Sequence, residues 1–394
     1  MPPRRASFWT THLRRRTTTG HWLPEIDGLR FIAIASVLLF HIQGQLEHHY
    51  SQAIPETWPV RALDFGNRGV PLFFVLSGFI LSLPFARSYR ANTPQPSLRK
   101  YYLRRITRLE PPYLLNIALV ALGAALLDHQ SWRILLPHLA ASAAYLHYAI
   151  FSTPSTINSV AWSLEVEVQF YLLAPLLATI FALRRTFARR SLLLIATASS
   201  AATQLAFHLS QFTLAGDLPY FFAGLLLAEL YLAGSVSPQS VASPHKSLWD
   251  LAALLGWPAF FLLPDQFTSL WLPALALVLC LAAFRGRITP RILRTPAIAI
   301  TGGMCYTIYL WHAPVLTVVD RLLRAHAPTL ALLPYPQLFL VQALIKVLAV
   351  ALICLPLFIL VERPCMDPLW PQKLAARLRP GPVSQPKLAQ DKPA

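Results

Sequence analysis

Residues 338–361 read LFLVQALIKVLAVALICLPLFILV, with a single charged side chain. An α-helix rises 1.5 Å per residue, so this run is long enough to cross the roughly 30 Å hydrocarbon core of a bilayer. Similar apolar runs recur along the whole chain. Hydrophobic residues make up 55% and charged residues 13% of the 394 positions, a balance far from that of a soluble domain. The sequence therefore predicts a polytopic α-helical membrane protein.

Ten apolar segments of this kind predict about ten transmembrane helices. They lie near residues 29–46, 66–86, 111–128, 163–183, 191–211, 218–234, 248–264, 268–284, 296–318 and 338–361. A weaker stretch at 134–151 is interpreted as re-entrant or as lying on the outer surface. If it crossed the membrane, the basic loop 184–190 would lie on the outer side instead of the cytoplasmic side.

Positive charge indicates how these helices are oriented. The chain carries a net charge of +17, and its basic residues gather in short clusters between apolar runs. Loops rich in Lys and Arg usually stay on the cytoplasmic side, and residues 87–110 and 184–190 are the richest examples. Both termini are therefore predicted to be cytoplasmic. Because the charge does not form one soluble basic face, we expect no nucleic-acid partner.

Three regions are predicted along the chain, with a membrane domain at 21–366 between two polar segments. Residues 1–20 are basic and contain no apolar core of a signal peptide, so we expect a cytoplasmic segment. Residues 367–394 are rich in Pro, Lys and Gln and are predicted to be a disordered cytoplasmic tail. The four cysteines lack CxxC or metal-ligand spacing, so neither a disulfide nor a metal site is expected.

The first predicted span contains two ionisable residues, Arg30 and His41. They are eleven positions apart, so a helix places them on nearly the same face, about 16 Å apart along its axis. An ionisable side chain inside a span is costly and usually faces a functional cavity. Arg30 could instead extend to the interface, and His41 could be a packing residue. Asp27 and Glu25 either orient Arg30 or favour the helix N-terminus.

Six sequence blocks follow one another in a definite order. They are EIDGLRFIAIASVLLFH (25–41), GVPLFFVLSGFIL (69–81), RRITRLEPPYLL (104–115), WSLEVEVQFYLLAPLL (162–177), YTIYLWHAPV (306–315) and VERP (361–364). Together they resemble the acyltransferase-3 family of bacterial integral membrane acyltransferases, in its stand-alone membrane-domain form. The resemblance implies a multi-pass enzyme of the bacterial cytoplasmic membrane. It implies transfer of an acyl group, by default acetyl, from cytoplasmic acyl-CoA to a hydroxyl of a sugar, glycolipid or glycosylated metabolite.

The resemblance also implies roles for four basic residues. His41 matches the family's catalytic histidine and Arg30 its paired arginine. An imidazole with a pKa of about 6.5 can take the proton of a hydroxyl that attacks a thioester. His41 is therefore predicted to be the general base, while an acyl-histidine intermediate stays an open alternative. Arg105 and Arg108 match the family's Arg-x-x-Arg element and are predicted to bind acyl-CoA, a co-substrate rather than a resident cofactor.

Acidic residues of the 162–177 block are assigned different roles. Glu167 matches the family's acid and is predicted to orient an imidazolium or to bind the acceptor hydroxyl. Glu165 lies nearly opposite on a helix and is interpreted as an interfacial charge. Ser77, beside Gly78, is expected to allow close helix packing rather than to act as a nucleophile.

Two aromatic residues and a second histidine are predicted to bind the acceptor. They are Trp162, Tyr309 and His312. By the predicted topology His312 lies in the outer half of the membrane with His41 and Glu167, which favours a common cavity. An aromatic belt at the membrane interface would explain Trp162 and Tyr309 about as well.

Two other function classes stay open. A transporter of a small organic anion or an acylated product would use Arg30 and His41 as a binding pair. Many transporters contain inverted repeats with interrupted helices, and no such match is apparent between the two halves. A non-catalytic scaffold or sensor would tolerate replacement of both residues.

Overall fold

The computed structural model describes residues 13–15, 22–49, 55–233, 246–324, 330 and 332–378. Every regular element within these ranges is helical, as predicted for an α-helical membrane protein.

The α-helices of the described ranges follow in this order. They are α1 (Pro24–His49), α2 (Trp58–Asp64), α3 (Gly69–Ala91), α4 (Leu98–Leu127), α5 (Trp132–Ala143), α6 (His147–Phe151), α7 (Trp162–Leu177), α8 (Thr186–Phe207), α9 (Leu214–Leu232), α10 (Lys246–Leu262), α11 (Thr268–Arg285), α12 (Thr289–Leu293), α13 (Pro296–Gly303), α14 (Cys305–Arg324), α15 (Tyr335–Leu357) and α16 (Trp370–Leu378). A π-helical turn, Phe358–Glu362, and a short turn, Arg363–Cys365, continue α15.

Six helical segments of the described ranges are long and apolar enough to cross a membrane. They are Trp58–Ala91, Leu98–Leu127, Ser159–Ala182, Leu214–Leu232, Thr268–Arg285 and Tyr335–Cys365. The other four predicted spans also fall on helices, namely α1, α8, α10 and α13 with α14. These four helices are not among the six because they are too short, not apolar enough or too charged. The count of ten and the cytoplasmic side of both termini stay predictions.

The weak apolar stretch at 134–151 does not form one helix. It is divided into α5, of 12 residues, and α6, of 5 residues. At 1.5 Å per residue neither helix is long enough to cross the roughly 30 Å apolar core of a bilayer. The structure therefore agrees with the interpretation of this stretch as a non-spanning segment.

One predicted span, 296–318, is interrupted where it meets the first helix. The chain leaves α13 at Gly303, and α14 begins at Cys305. Gly302 permits a direct backbone contact with α1, because a Cβ atom there would lie 1.7 Å from the carbonyl oxygen of Asp27. This close approach places α13 beside the ionisable start of α1, which the hydropathy pattern alone did not reveal.

Close packing of α3 against α9 forms the centre of the bundle. Gly78 and Gly224 face each other, and a Cβ atom on Gly224 would lie 2.3 Å from the carbonyl oxygen of Val75. The expected packing role is thus confirmed for Gly78. Beside this contact the rings of Phe170 and Phe221 stack with centroids 3.9 Å apart.

The outward side of α15 consists of exposed leucines. They recur every four residues and are Leu340, Leu344, Leu348 and Leu352. Residues four apart share one face of a helix, so this face suits contact with lipid tails rather than with water.

The predicted disordered tail begins with an ordered element. Residues Trp370–Leu378 form α16, and the indole Nε1 of Trp370 donates to the carbonyl oxygen of Thr107 at 2.8 Å. The prediction of disorder is therefore wrong for this part, because a single aromatic anchor on α4 holds a segment whose composition is polar. Residues 379–394 lie outside the described residues.

Candidate active site

The first turn of α1 holds a buried carboxylate that gathers three donors. Asp27 is 2% exposed, and it accepts hydrogen bonds from Arg30 at 2.7 Å, from Arg15 at 3.3 Å and from the indole of Trp22 at 2.8 Å. Glu25 instead pairs with Arg294 on the other side of the helix. Of the two acids, Asp27 therefore orients Arg30, and the pairing of a buried carboxylate with arginines offsets its desolvation.

A narrow cavity lies between α1, α3, α4, α7 and α14. Its volume is about 110 Å³. Its polar lining, for which we name it the arginine cavity, consists of Arg15, Arg30, Ser77, Arg105, Arg108, Ser163, Glu167, Tyr171, Tyr306, Tyr309 and Glu362. Four cations therefore face two carboxylates, and the Asp27 carboxylate that pairs with Arg15 and Arg30 is a third, so one positive charge is left in excess, which suits an anionic ligand.

The arginine cavity continues towards the basic end of the bundle. A surface groove shares Arg15, Arg30, Arg105 and Arg108 with it and extends to Arg87 and Arg104. Six guanidinium groups thus line the groove and the adjoining cavity, and they outnumber the carboxylates of Asp27, Glu167 and Glu362 there.

The Arg-x-x-Arg pair presents free donors to this groove and cavity. In the described part of the chain Arg108 has no protein hydrogen bond, and Arg105 contacts only the rings of Tyr101 and Tyr171, at 5.6 Å and 5.7 Å. The Nε atom of Arg105 is buried without an acceptor there. Buried donors without acceptors are costly, so an anionic ligand would stabilise this arrangement.

Glu167 also lies on the arginine cavity, where the hydroxyl of Ser77 donates to its carboxylate. Ser77 therefore makes a polar contact, in addition to the packing that Gly78 provides. The sequence predicted a common cavity for Glu167 and His41. The structure instead brings Glu167 together with Arg30, Arg105 and Arg108.

A second, wider cavity lies between the second half of α1 and the first turns of α3, α7, α9 and α11. We name it the histidine cavity; it has a volume of about 680 Å³, and its lining includes His41, Trp162, His208, Phe212, Asp217 and Tyr309. Val70 and Tyr309 line both cavities, so the two spaces meet at these side chains. The structure thus brings His41, Trp162 and Tyr309 to one cavity.

Behind His41 lies the second histidine of the predicted site. The rings of His41 and His312 have centroids 5.0 Å apart, and His312 is fully buried. Its Nδ1 atom lies 2.7 Å from the carbonyl oxygen of Tyr309, which requires a proton on that nitrogen. Its Nε2 atom has no hydrogen-bond partner in the described residues. A free acceptor therefore lies beside His41.

The hydroxyl of Tyr309 is occupied by protein groups. It contacts the Ser163 hydroxyl at 2.6 Å and donates to the Val160 carbonyl oxygen at 2.9 Å. Only the ring of Tyr309 is therefore available to a ligand in either cavity. Trp162 contacts Phe212 edge to face, with centroids 5.0 Å apart, so two aromatic side chains meet in the histidine cavity.

Comparison with known proteins identifies the family of this chain. A family model described as an acyltransferase domain matches residues 23–360. The chain belongs to the acyltransferase-3 family.

Relatives of this acyltransferase-3 chain include the O-acetyltransferase OatA of Staphylococcus aureus (strain NCTC 8325). That protein is 27% identical over 340 residues, which cover 76% of this chain and 51% of the relative. The peptidoglycan O-acetyltransferase OatA of Listeria monocytogenes is 24% identical over 369 residues, covering 84% of this chain and 56% of the relative. The chain spans about half the length of the curated relatives that it matches. No solved structure matches the chain.

Glu165 has a different place in the acyltransferase-3 domain from the one predicted. It is 2% exposed, and its carboxylate accepts a hydrogen bond from the backbone N–H of Tyr148 at 3.0 Å. The interpretation as an interfacial charge is therefore wrong. The carboxylate caps α6, a short helix that folds back onto α7, and this contact is not visible in the local sequence.

Glu362 is a cavity residue to which sequence reasoning gave no role. Its carboxylate accepts hydrogen bonds from the backbone N–H and the hydroxyl of Thr307, at 3.0 Å and 2.5 Å. It lies in the π-helical turn after α15, and such turns are frequent at functional sites. The signal was present, because an acid inside an apolar run usually faces a cavity.

Proposed function

We propose that this protein is an O-acyltransferase of a bacterial cytoplasmic membrane. It transfers an acyl group, acetyl by default, from cytoplasmic acyl-CoA to a hydroxyl of a glycan or glycolipid. The observation that carries the proposal is the meeting of a cationic cavity and a histidine cavity at Val70 and Tyr309. The names of the relatives, O-acetyltransferase and peptidoglycan O-acetyltransferase, support the acetyl group and a glycan acceptor.

The arginine cavity is the proposed donor site. Acyl-CoA carries phosphate groups, and guanidinium groups bind phosphate through paired, charge-assisted hydrogen bonds. Arg105 and Arg108 present free donors, while Asp27 holds Arg30 in the same cavity. The pantetheine arm, which is thin and extended, suits the narrow space beyond the arginines.

The positions of the charged loops support a direction for the reaction. The groove of the donor site opens beside Arg87 and Arg104, within the loop 87–110 that the positive-inside rule assigns to the cytoplasm. We infer a ten-span topology with both termini on that side. The histidine cavity then opens towards the outer leaflet, and the acyl group crosses the membrane between donor and acceptor.

His41 acts as the general base of the transfer. It takes the proton of the acceptor hydroxyl while the oxygen attacks the thioester carbon, and CoA departs as the thiolate. His312 is the proposed positioning residue: the two rings are adjacent and its Nε2 has no partner in the described residues, so a small rotation of either ring would let it accept the N–H of His41 and leave the other ring nitrogen available. Glu167 shapes the donor site together with Ser77.

Activity of the purified protein in nanodiscs tests the proposal. With acetyl-CoA as donor and chitotriose as acceptor, the measured quantities are CoA release and the acetylated sugar by mass spectrometry. Loss of a general base slows catalysis about 10²-fold or more, so His41→Ala is expected to lose activity to that extent. His48→Ala, an exposed change later on α1, is the matched control and should keep full activity.

The same assay separates the competing classes. A correctly folded His41→Ala protein that acetylates chitotriose at the normal rate would refute the proposed mechanism. Binding of acetyl-CoA by the wild-type protein without any CoA release would instead favour a transporter.

A further inference from the structure

The histidine cavity contains a buried carboxylate without a partner. Asp217 lies in the first turn of α9 and is 3% exposed. It lines the cavity, and its Oδ2 atom has no hydrogen-bond partner in the described part of the chain. Burying a charge without a partner is costly, so a group that enters the cavity and donates to Asp217 would stabilise it.

Asp217 is needed neither as the cap of α9 nor as the partner of a nearby cation, because other residues fill both roles. The N-terminus of α9 is capped by the side chain of Thr213, which accepts from the backbone N–H of Gly216 at 3.3 Å. Arg68 is the buried cation on the same cavity. Its guanidinium is engaged elsewhere, by the carbonyl oxygens of Phe260 and Leu263, at 2.8 Å and 2.7 Å, and by the Asp265 carboxylate at 2.6 Å.

The surroundings of Asp217 suit a sugar. A carboxylate accepts hydrogen bonds from two neighbouring hydroxyls, because it has two oxygens and no donor when ionised. Trp162 and Phe212 offer aromatic surface in the same cavity, and His41 lies there too. A volume of about 680 Å³ lies within the range of roughly 300–1,000 Å³ typical of ligand sites.

We propose that Asp217 is the acceptor-binding carboxylate and that it selects a neutral sugar. The sugar packs against Trp162 and Phe212, two of its hydroxyls donate to Asp217, and another hydroxyl is left facing His41. An acidic sugar is rejected, because the terminal nitrogens of Arg68, the one arginine or lysine in the described lining of this cavity, are already engaged and cannot pair with a sugar carboxylate. The inference rests on the proposed function and adds the acceptor subsite and its charge preference.

Initial rates of acetyl transfer to two soluble probes test this assignment. The probes are chitotriose, which is neutral, and trigalacturonate, which is acidic, with acetyl-CoA at a saturating concentration. Loss of hydrogen bonds to a charged group weakens binding about tenfold or more, so Asp217→Asn should raise the KM for chitotriose by that factor. The KM for acetyl-CoA should not change, and kcat should stay within about twofold, because neither the donor site nor His41 is altered.

The acidic probe gives a readout that a folding defect cannot produce. The wild-type protein should acetylate trigalacturonate at less than about a tenth of its rate with chitotriose, since a charge buried without a partner is costly. Asp217→Asn should narrow this gap by lowering the rate with chitotriose while the rate with trigalacturonate stays as it was, whereas a folding defect would lower both rates. Glu56→Gln, a carboxylate-to-amide change at an exposed position, is the control and should leave both rates unchanged.

Three results would overturn the inference. They are an unchanged KM for chitotriose in Asp217→Asn, an equal loss with both probes together with a raised KM for acetyl-CoA, and a wild-type protein that acetylates the acidic sugar at least as fast as chitotriose. Full activity of His41→Ala would instead refute the proposed function, so the two failures are distinguishable.

Discussion

The arginine cavity and the histidine cavity meet at Val70 and Tyr309 but differ in size and in chemistry. The first has a volume of about 110 Å³ and four arginines in its lining. The second has about 680 Å³, and its lining includes histidines, aromatic rings, Arg68 and one carboxylate, Asp217, that has no partner among the described residues. A narrow cationic space suits one constant anionic ligand. A wide space with few fixed contacts suits a bulky acceptor. Under the proposed function, this contrast predicts that donor and acceptor specificity are built from separate residues, so mutations should affect one without the other.

Closing the junction should have the largest effect. Val70→Phe adds bulk where the cavities meet, while Val70→Ala removes bulk and is the control. A misplacement of about 1 Å between reacting groups costs roughly 10² in rate, so Val70→Phe should lower kcat at least to that extent. Binding of acetyl-CoA, measured by calorimetry, should not change. An unaltered kcat in a folded Val70→Phe protein would mean that the reaction does not pass this junction.

Removing a donor-site arginine should have the next largest effect. Hydrogen bonds to charged groups contribute about 1.5–3 kcal/mol, so Arg108→Ala should raise the KM for acetyl-CoA about 10-fold to 100-fold. The KM for chitotriose should stay the same. Arg99→Ala, an exposed arginine near the start of α4, is the control. A comparable rise with Arg99→Ala would show that general positive charge, rather than the Arg-x-x-Arg pair, attracts the donor.

A smaller effect is expected from the aromatic wall of the acceptor side. Trp162→Leu removes a ring contact worth about 0.5–1.5 kcal/mol, so the KM for chitotriose should rise about threefold to tenfold. Trp132→Leu changes an exposed tryptophan on α5 and should leave it unchanged. If Trp162→Leu raised the KM for acetyl-CoA instead, Trp162 would belong to the donor side and the division between the cavities would be wrong.

The smallest effect is expected from a surface pair that belongs to neither cavity. Arg321 donates to Asp128 at 2.6 Å and lowers the pKa of that carboxyl below its ordinary value. A lowered folded-state pKa stabilises the protein above the unfolded pKa, and this contribution is lost as the pH falls through the folded pKa. The pair is exposed and screened, so Asp128→Asn should shift the Tm at pH 7 by less than about 2 °C. Differential scanning calorimetry checks this, and a loss of transfer activity would show that the pair reaches the site.

Helix positions were largely predictable from this sequence, and so was part of the site. Apolar runs marked the helices because lipid-facing side chains must be apolar. The spacing of Arg30 and His41 predicted two depths on one face, and the structure places them on different cavities. Arg105 and Arg108 were recognisable because an arginine pair beside a span repeats a known family element.

Other site features depended on contacts between distant segments. Glu165 and Glu167 are two residues apart, yet one caps α6 and the other lies beside Ser77. Which of the two acids faces the arginine cavity depends on the rotation of α7 about its axis relative to the neighbouring helices. Arg15 belongs to the site because it pairs with Asp27. No local pattern in the basic N-terminal segment distinguishes it from the arginines near it.

The sequence by itself determined that this protein is a bundle of apolar helices, because hydrophobicity and helix length are properties of each segment alone. It also determined which residue types carry the proposed chemistry, through His41 and the arginines. Only the tertiary structure decided that the site residues divide between two cavities and that Asp217 has no partner within the part of the chain that the structure describes. The physical reason is that burial and hydrogen-bond satisfaction are set by packing between helices that are far apart in the chain.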